Sequence, residues 1–463
     1  MRPPSPASLR SALSRAGDVG GRTMSDPKRS VAFASLETGS NLSCPPAALA
    51  GRSVLIATQA QFPAALSLIA LDGLAQRLVL APPDLPQASL GTILRDAEID
   101  TVVTDAAAHA TSDFAGLDVV IADDRLVPID PMPDDAVATE WVLATSGTTG
   151  APKLVVHTLE GLAGAIEPVV DAAATVWGTF YDIRRYGGLQ IFLRAVLGPS
   201  SLILSDADEA VGTFLDRLGR AGATHILGTP SHWRRALMSP RLSGLAPRYV
   251  RLSGEIADQA ILDQLKRAFP EAHVAHAYAS TEAGVGFSVD DGRAGFPADL
   301  VGARPGIEIR VRDEILQVRS VRTGRRYLGA DAADLADSEG FVDTGDRVAV
   351  HEGRYVFLGR RSGLINVGGA KVQPEEVEAV LNRHPGVSMA RVRGRPNPIL
   401  GSLVVADIAL HGRLPEGDDA AALSAELLAL CRRELPAYKV PARLVFVETL
   451  PLTASGKLAR GMP

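Results

Sequence analysis

The sequence predicts an α/β protein built from two doubly wound sheets, a small β-rich region and a small α+β C-terminal domain. Three observations carry this. Short apolar runs alternate with helix-length segments up to about residue 274. Texture changes near Phe296 to short strands separated by turn signals. Strand and helix patterns return after Gly359. At 463 residues and 46 % apolar, the chain can bury a large core and is excluded from the disordered class.

Residues 53–57 (SVLIA) read as a buried strand, 62–75 as an apolar helix and 78–81 as a second strand. A helix over 90–97 and a strand over 101–104 (TVVT) follow. Strand–helix–strand spacing of this kind makes a parallel sheet with helices packed on it. The pattern recurs from about residue 159, with helices over 207–221 and 259–269 and strands over 225–227 and 249–252. Strands over 307–311, 315–318 and 354–358 form the β-rich region. Segments 374–382, 402–408, 418–434 and 443–446 fill a final domain of about 100 residues.

The start reads differently. Residues 1–22 carry four arginines and a single acid, Asp18, without an apolar h-region, so a secretory signal is excluded. Residues 1–30 are expected to be a disordered leader. A transit peptide, or a true start at Met24, is the alternative. The net charge of −6 lacks the basic excess that coating a nucleic acid requires. No apolar run is long enough to span a membrane. Two distant cysteines, Cys44 and Cys431, exclude a disulfide scaffold and fit a reduced cytoplasm.

The strongest local signal is residues 143–153, LATSGTTGAPK, read as following a strand and preceding an apolar helix. Thr145, Ser146, Thr148 and Thr149 offer hydroxyls, and Gly147 and Gly150 permit positive φ and close approach of a ligand. Backbone N–H groups turned inward, with Lys153 as a point charge, suit polyphosphate oxygens. The pattern is not a Walker loop, and a flexible surface turn is the plain alternative.

That loop, with four later segments in order, resembles the adenylate-forming superfamily of acyl- and aryl-CoA synthetases, luciferase and peptide-synthetase adenylation domains. The segments are YASTE (278–282), DTGD (343–346), GRRSGLINVGGAKVQPEEVE (359–378) and PLTASGKLAR (451–460). The resemblance implies an AMP-binding domain over 31–358 and a mobile C-terminal domain over 359–463. It implies an AMP-forming acid–thiol ligase: a carboxylate attacks the ATP α-phosphate, and a thiol then takes the acyl group. The thiol is CoA, or alternatively a separate acyl carrier protein. A degenerate nucleotide-binding protein without turnover is the rival from another class.

Residue roles follow from the same resemblance. The loop from Thr145 to Lys153 holds the β- and γ-phosphates. Thr281 and Glu282 meet the α-phosphate and Mg2+, a hard ion suited to carboxylate oxygen. Tyr278 flanks adenine, and Gly254 and Glu255 of SGE (253–255) form the adenine-side loop. Asp346 and Arg360 hold the ribose. Lys457 bridges carboxylate and α-phosphate in the transition state. Ser362 stands at the hinge, where relatives carry Asp or Lys. Gly368 and Gly369 are expected to let a pantetheine arm pass. Trp177, Phe180, Tyr181, Asp182, Gly228, Thr229 and Trp233 are candidate walls of the acid pocket. Asp182 could pair a substrate ammonium, or be paired by Arg184 or Arg185. The identity of the acid is not legible.

Overall fold

A computed structural model describes residues 8–16, 21–105, 114–130, 137–145, 152–167, 174–330, 332–397 and 401–460. Strands Ser53–Ile56, Arg77–Leu80 and Thr101–Thr104 lie side by side and parallel, and every residue in them is buried. Burial on both faces explains why their sequences are continuous apolar runs without alternation. Glu140–Thr145 and Asp118–Pro128 extend the sheet in parallel on its two sides. Lys153–His157, Arg326–Leu328 and Gly39–Leu42 close its edges antiparallel.

A second sheet runs in the order Gly284–Val289, His273–Ser280, Tyr249–Ser253, His225–Gly228, Val176–Thr179, Ser201–Leu204, Thr23–Ser25 and Ser30–Ala32. Its interior is parallel and its two outermost strands are antiparallel. Helices Gln61–Leu71 and Tyr186–Leu197 share one apolar core with strands of both sheets. That double burial is why Gln61–Leu71 has no polar face.

The expected disordered leader does not hold for the described part of residues 1–30. Leu9–Ala16 is a helix whose Leu9 and Leu13, four apart on one face, are fully buried. Asp72 accepts the Leu9 N–H at 2.8 Å. Met24 is buried in a strand that pairs with Ser201–Leu204. Arginine and serine between the leucines mask the apolar face from a composition reading.

The β-rich region is a six-stranded antiparallel sheet from Phe296–Pro297 to Arg354–Arg360, as the turn signals predicted. The final domain is a five-stranded sheet with helices Pro374–Leu381 and Gly417–Glu434 sharing its core. Among the described residues no helix is long and apolar enough to cross a membrane.

Candidate active site

Parallel sheets gather ligands where strands end at their carboxyl side. In the second sheet the chain leaves strand Val176–Thr179 into Phe180 and Tyr181, leaves His225–Gly228 into Thr229, and leaves Tyr249–Ser253 into Gly254 and Glu255. The C-terminal segment carrying Lys457 docks on these three exits. Thr229 Oγ1 donates to the Gly456 carbonyl at 2.5 Å. The Leu458 N–H donates to Glu255 Oε1 at 2.7 Å. Glu255 also accepts from the Ser231 N–H at 3.0 Å and the Ser231 hydroxyl at 3.1 Å. One carboxylate thus ties the docked segment to the start of helix Pro230–Leu237.

Docking lays Lys457 over the SGE loop. A Cβ built on Gly254, whose φ is +87°, would stand 3.4 Å from Lys457 Cε, so the missing side chain makes room for the lysine stem. Lys457 is exposed by surface area, with its stem laid along the cleft wall at Gly254. Loss of hydration there is the largest influence and holds its pKa below the usual lysine value. Glu255 and Asp346 pull it up, while Arg360 and Arg185 push it down.

Asp346 and Arg360 meet across the antiparallel pair Val342–His351 and Arg354–Arg360, at facing positions. Arg360 Nε donates to Asp346 Oδ1 at 3.1 Å, and Tyr278 OH donates to Asp346 Oδ2 at 2.6 Å. Burial first, then Asp346, raises the Tyr278 phenol well above its usual value. Its ring lies near-parallel to Phe287 and to Phe357, each centroid 5.5 Å away. Burial would lower the Arg360 pKa, but Asp346, Tyr278 and Glu282 more than reverse it.

Thr281 and Glu282 occupy the turn between His273–Ser280 and Gly284–Val289, both half-buried. The Glu282 carbonyl accepts the Gly324 N–H at 2.9 Å. Glu282 raises the Tyr327 phenol further after burial. Lys153 Nζ lies 4.9 Å from the centroid of the Tyr327 ring, so loop end and acidic turn converge on one tyrosine.

Thr145 ends strand Glu140–Thr145 and pairs with Lys153, which opens an antiparallel strand, Lys153–His157. The hydroxyl-rich loop therefore joins two strands. The expected strand-to-helix connection is corrected: the helix, Leu159–Ala163, comes only afterwards. Ser146, Gly147, Thr148, Thr149 and Gly150 lie outside the described residues.

The expected pocket walls separate. Tyr181 is in place, its hydroxyl bonded to the Ser253 carbonyl at 2.9 Å. Trp177 is not. It lies near the start of Val176–Thr179, at the opposite end from the strand exits, packed 4.6 Å from the His225 ring. Trp233 is fully buried among core aromatics and donates to the Arg251 carbonyl at 3.3 Å. Phe180 stacks on His232 with centroids 5.2 Å apart. Gly228 is small because a Cβ would stand 2.9 Å from Phe180. Asp182 is held by Arg184 at 2.6 Å and 2.9 Å, so it is no free partner for a substrate ammonium. The Thr229 hydroxyl is engaged by the docked lysine segment.

A narrow cleft of about 20 Å³ lies beside Ser253, and of its lining the sequence reading names only Tyr181 as a pocket wall. Tyr181, Tyr186, Ile191, Arg194, Arg251 and Val285 line it. A signal existed: Arg194 interrupts the apolar helix Tyr186–Leu197, and Arg251 interrupts an interior parallel strand.

Ser362 is exposed in the single turn Arg361–Gly363, which links the antiparallel sheet to the final domain. A Cβ on Gly363 would meet nothing within 4 Å. Gly368 and Gly369 have φ of +58° and +90° and form the two-residue turn between Ile365–Val367 and Ala370–Val372. The hairpin itself requires them.

Comparison with known proteins places the chain in a family. The family model described as AMP-binding enzyme matches residues 50–324, and that described as AMP-binding enzyme C-terminal domain matches 376–457. A 2-succinylbenzoate–CoA ligase of Listeria monocytogenes is 30 % identical over 69 % of this chain and 68 % of its own length. A sulfoacetate–CoA ligase of Cupriavidus necator is 30 % identical over 83 % of this chain and 77 % of its own. Among solved structures, a benzoate CoA ligase from Burkholderia xenovorans has a TM-score of 0.78 at 21 % identity, covering 97 % of this chain and 98 % of that one.

Proposed function

The chain belongs to the AMP-binding enzyme family, as an AMP-forming acid–CoA ligase, and we propose that Lys457, docked over Gly254, carries its first half-reaction. The docked position of Lys457 is the observation that supports this reading. The acid's carboxylate oxygen bonds to the α-phosphorus of ATP, the bond to the β-phosphate oxygen breaks, and pyrophosphate leaves. Such a transfer needs positioning and charge neutralisation more than covalent help. The Lys457 ammonium supplies positive charge where the carboxylate and α-phosphate meet.

Asp346 accepts the ribose hydroxyls, with Arg360 alongside it. Tyr278 acts through its hydrogen bond to Asp346, since its ring already has Phe287 and Phe357 beside it. Thr281 and the loop from Thr145 to Lys153 bind phosphate oxygens. Among the described residues no three His, Cys, Asp or Glu side chains form a metal cage. The single carboxylate of Glu282 fits Mg2+, which keeps waters and takes phosphate oxygens as further ligands. When bound, that ion neutralises charge on the phosphates.

In the second half-reaction the final domain turns about Ser362 and withdraws Lys457. The CoA thiol, its proton released to solvent, then bonds through sulfur to the acyl carbon, the bond from that carbon to the phosphate oxygen breaks, and AMP leaves. Two free cysteines, Cys44 and Cys431, suit work in a reducing cytoplasm.

Pyrophosphate release is the test, with MgATP, a panel of carboxylic acids, and CoA present or absent. One acid class releasing pyrophosphate, faster with CoA, is the expected result. Silence from every acid, or release indifferent to CoA, would overturn the reading.

A further inference from the structure

Helix Pro374–Leu381 of the final domain packs on strand Arg354–Arg360, which lies on the other side of the single turn Arg361–Gly363. At that contact Gln373 Oε1, Gln373 Nε2 and Glu375 Oε2 are buried without a hydrogen-bond partner among the described residues. Gln373 is the N-cap residue of the helix and is 3 % exposed, yet its side chain makes no capping bond. Both side chains crowd Gly359. A Cβ built there would stand 2.8 Å from Gln373 Oε1 and closer still to Glu375 Oε2. The other Glu375 oxygen lies 3.4 Å from Arg460 Nη2, but Arg460 donates its hydrogen bonds to Glu378, at 2.8 Å and 2.7 Å. Burial is the largest influence on Glu375 and raises its pKa. Asp346 adds to the rise, while Arg460, the Glu375 N–H and Arg360 oppose it. The attraction of Arg460 therefore falls short of what burial costs the carboxylate.

A buried polar atom without a partner destabilises the conformation that buries it, and a half-satisfied polar cluster is worse than an apolar one. Gln373 and Glu375 stand on the final-domain side of the turn, and Gly359 stands on the other. When the final domain turns about Ser362, the two side chains leave Gly359 and regain water. Their desolvation thus weighs against the docked conformation and not against the turned one. Features that break a local rule in this way concentrate at functional sites, where they keep two states close in free energy.

We propose that Gln373 and Glu375 are positioning residues that weaken the docked conformation, so that Lys457 leaves readily once the adenylate has formed. They act through the contact with Gly359 and not on the reacting atoms. Opposing them are the bonds that hold the lysine segment, from Thr229 to the Gly456 carbonyl and from the Leu458 N–H to Glu255. This deepens the ligase reading above and rests on its turning domain.

Amide hydrogen exchange of the full chain, with MgATP present and no acid, reads docking without turnover. The reporter is segment 454–460, where the Leu458 N–H is bonded to Glu255 Oε1 while the segment is docked. Gln373→Met and Glu375→Met keep the side-chain length and remove the polar ends. Each should slow exchange of the reporter by about tenfold, the scale of one relieved buried polar group. Glu375→Gln, which leaves a polar end against Gly359, should slow it less. Loss of an ordinary structural contact would do the reverse and speed exchange. Thermal melts report folding, and Gln373→Ala or Glu375→Ala, which need no extra space, replace a Met variant that does not fold, with the same expected direction. Faster or unchanged exchange in both positions overturns the proposal. The ligase reading is judged apart from this, by acid-dependent pyrophosphate release from the native chain. If release is present and exchange ignores the variants, this proposal alone fails; if no acid gives release, the ligase reading fails whatever the exchange shows.

Discussion

Gly456 rests its backbone directly against the imidazole of His232, and a Cβ at position 456 would lie inside the volume of that ring. Its φ of +71° is itself a conformation that favours glycine. The contact fixes the residue before Lys457 against helix Pro230–Leu237, whose N-cap, Thr229, holds the Gly456 carbonyl. Burial, and then Arg235, push the His232 pKa down to about 3, so the ring is neutral at physiological pH. Gly456→Ala should therefore undock Lys457. Adenylation, measured by pyrophosphate exchange, should fall on the order of 100-fold, the typical loss for one preorganised charge. The KM for ATP should change little.

Asp346 is the meeting point of Tyr278 and Arg360. Asp346→Asn removes the charge that Arg360 faces and weakens an acceptor for ribose. The KM for ATP should rise about tenfold or more, with a much smaller effect on the KM for the acid. Steady-state kinetics with each substrate varied in turn checks the split.

Ser362 lies exposed in the one turn between the antiparallel sheet and the final domain. Ser362→Pro restricts φ at that point. Adenylation should survive within about a factor of two, while thioester formation falls by roughly 100-fold, the scale of a misplaced catalytic geometry. Single-turnover assays of each half-reaction distinguish this from a general loss.

Asp72 accepts the Leu9 N–H at 2.8 Å and the Trp141 indole N–H at 2.9 Å, and burial raises its pKa to about 7. The folded protein thus binds a proton here more tightly than the unfolded chain, whose aspartate titrates near 3.8. The stability contributed is fully present below about pH 4 and is lost as pH rises through about 7. Asp72→Asn removes that slope. The melting temperature of the native protein, relative to the variant, should fall across that window, by the equivalent of at most about 4 kcal/mol.

The parallel strands were legible because burial on both faces leaves short apolar runs, as at 53–56 and 101–104. Thr23–Ser25 was not. Its partner, Ser201–Leu204, lies far along the chain, and three residues carry no periodicity. At the site, the ordered motifs picked out Lys457, Asp346, Arg360 and Glu282, which the fold gathers around one cleft. Among the candidate pocket aromatics, Tyr181 stands at a strand exit, whereas Trp177 and Trp233 do not. Trp177 and Trp233 were weighed by size, whereas their strand end and helix face decide what they touch. No local pattern shows that the Thr229 hydroxyl receives a segment more than two hundred residues later.

The central claim is that Lys457 in its docked position serves adenylation alone. Lys457→Ala, assayed separately for pyrophosphate release and for CoA thioester formation from supplied acyl-adenylate, tests it most directly. Release should drop on the order of 100-fold or more while thioester formation stays near the native rate. Equal loss in both halves, or undiminished release, would contradict the account.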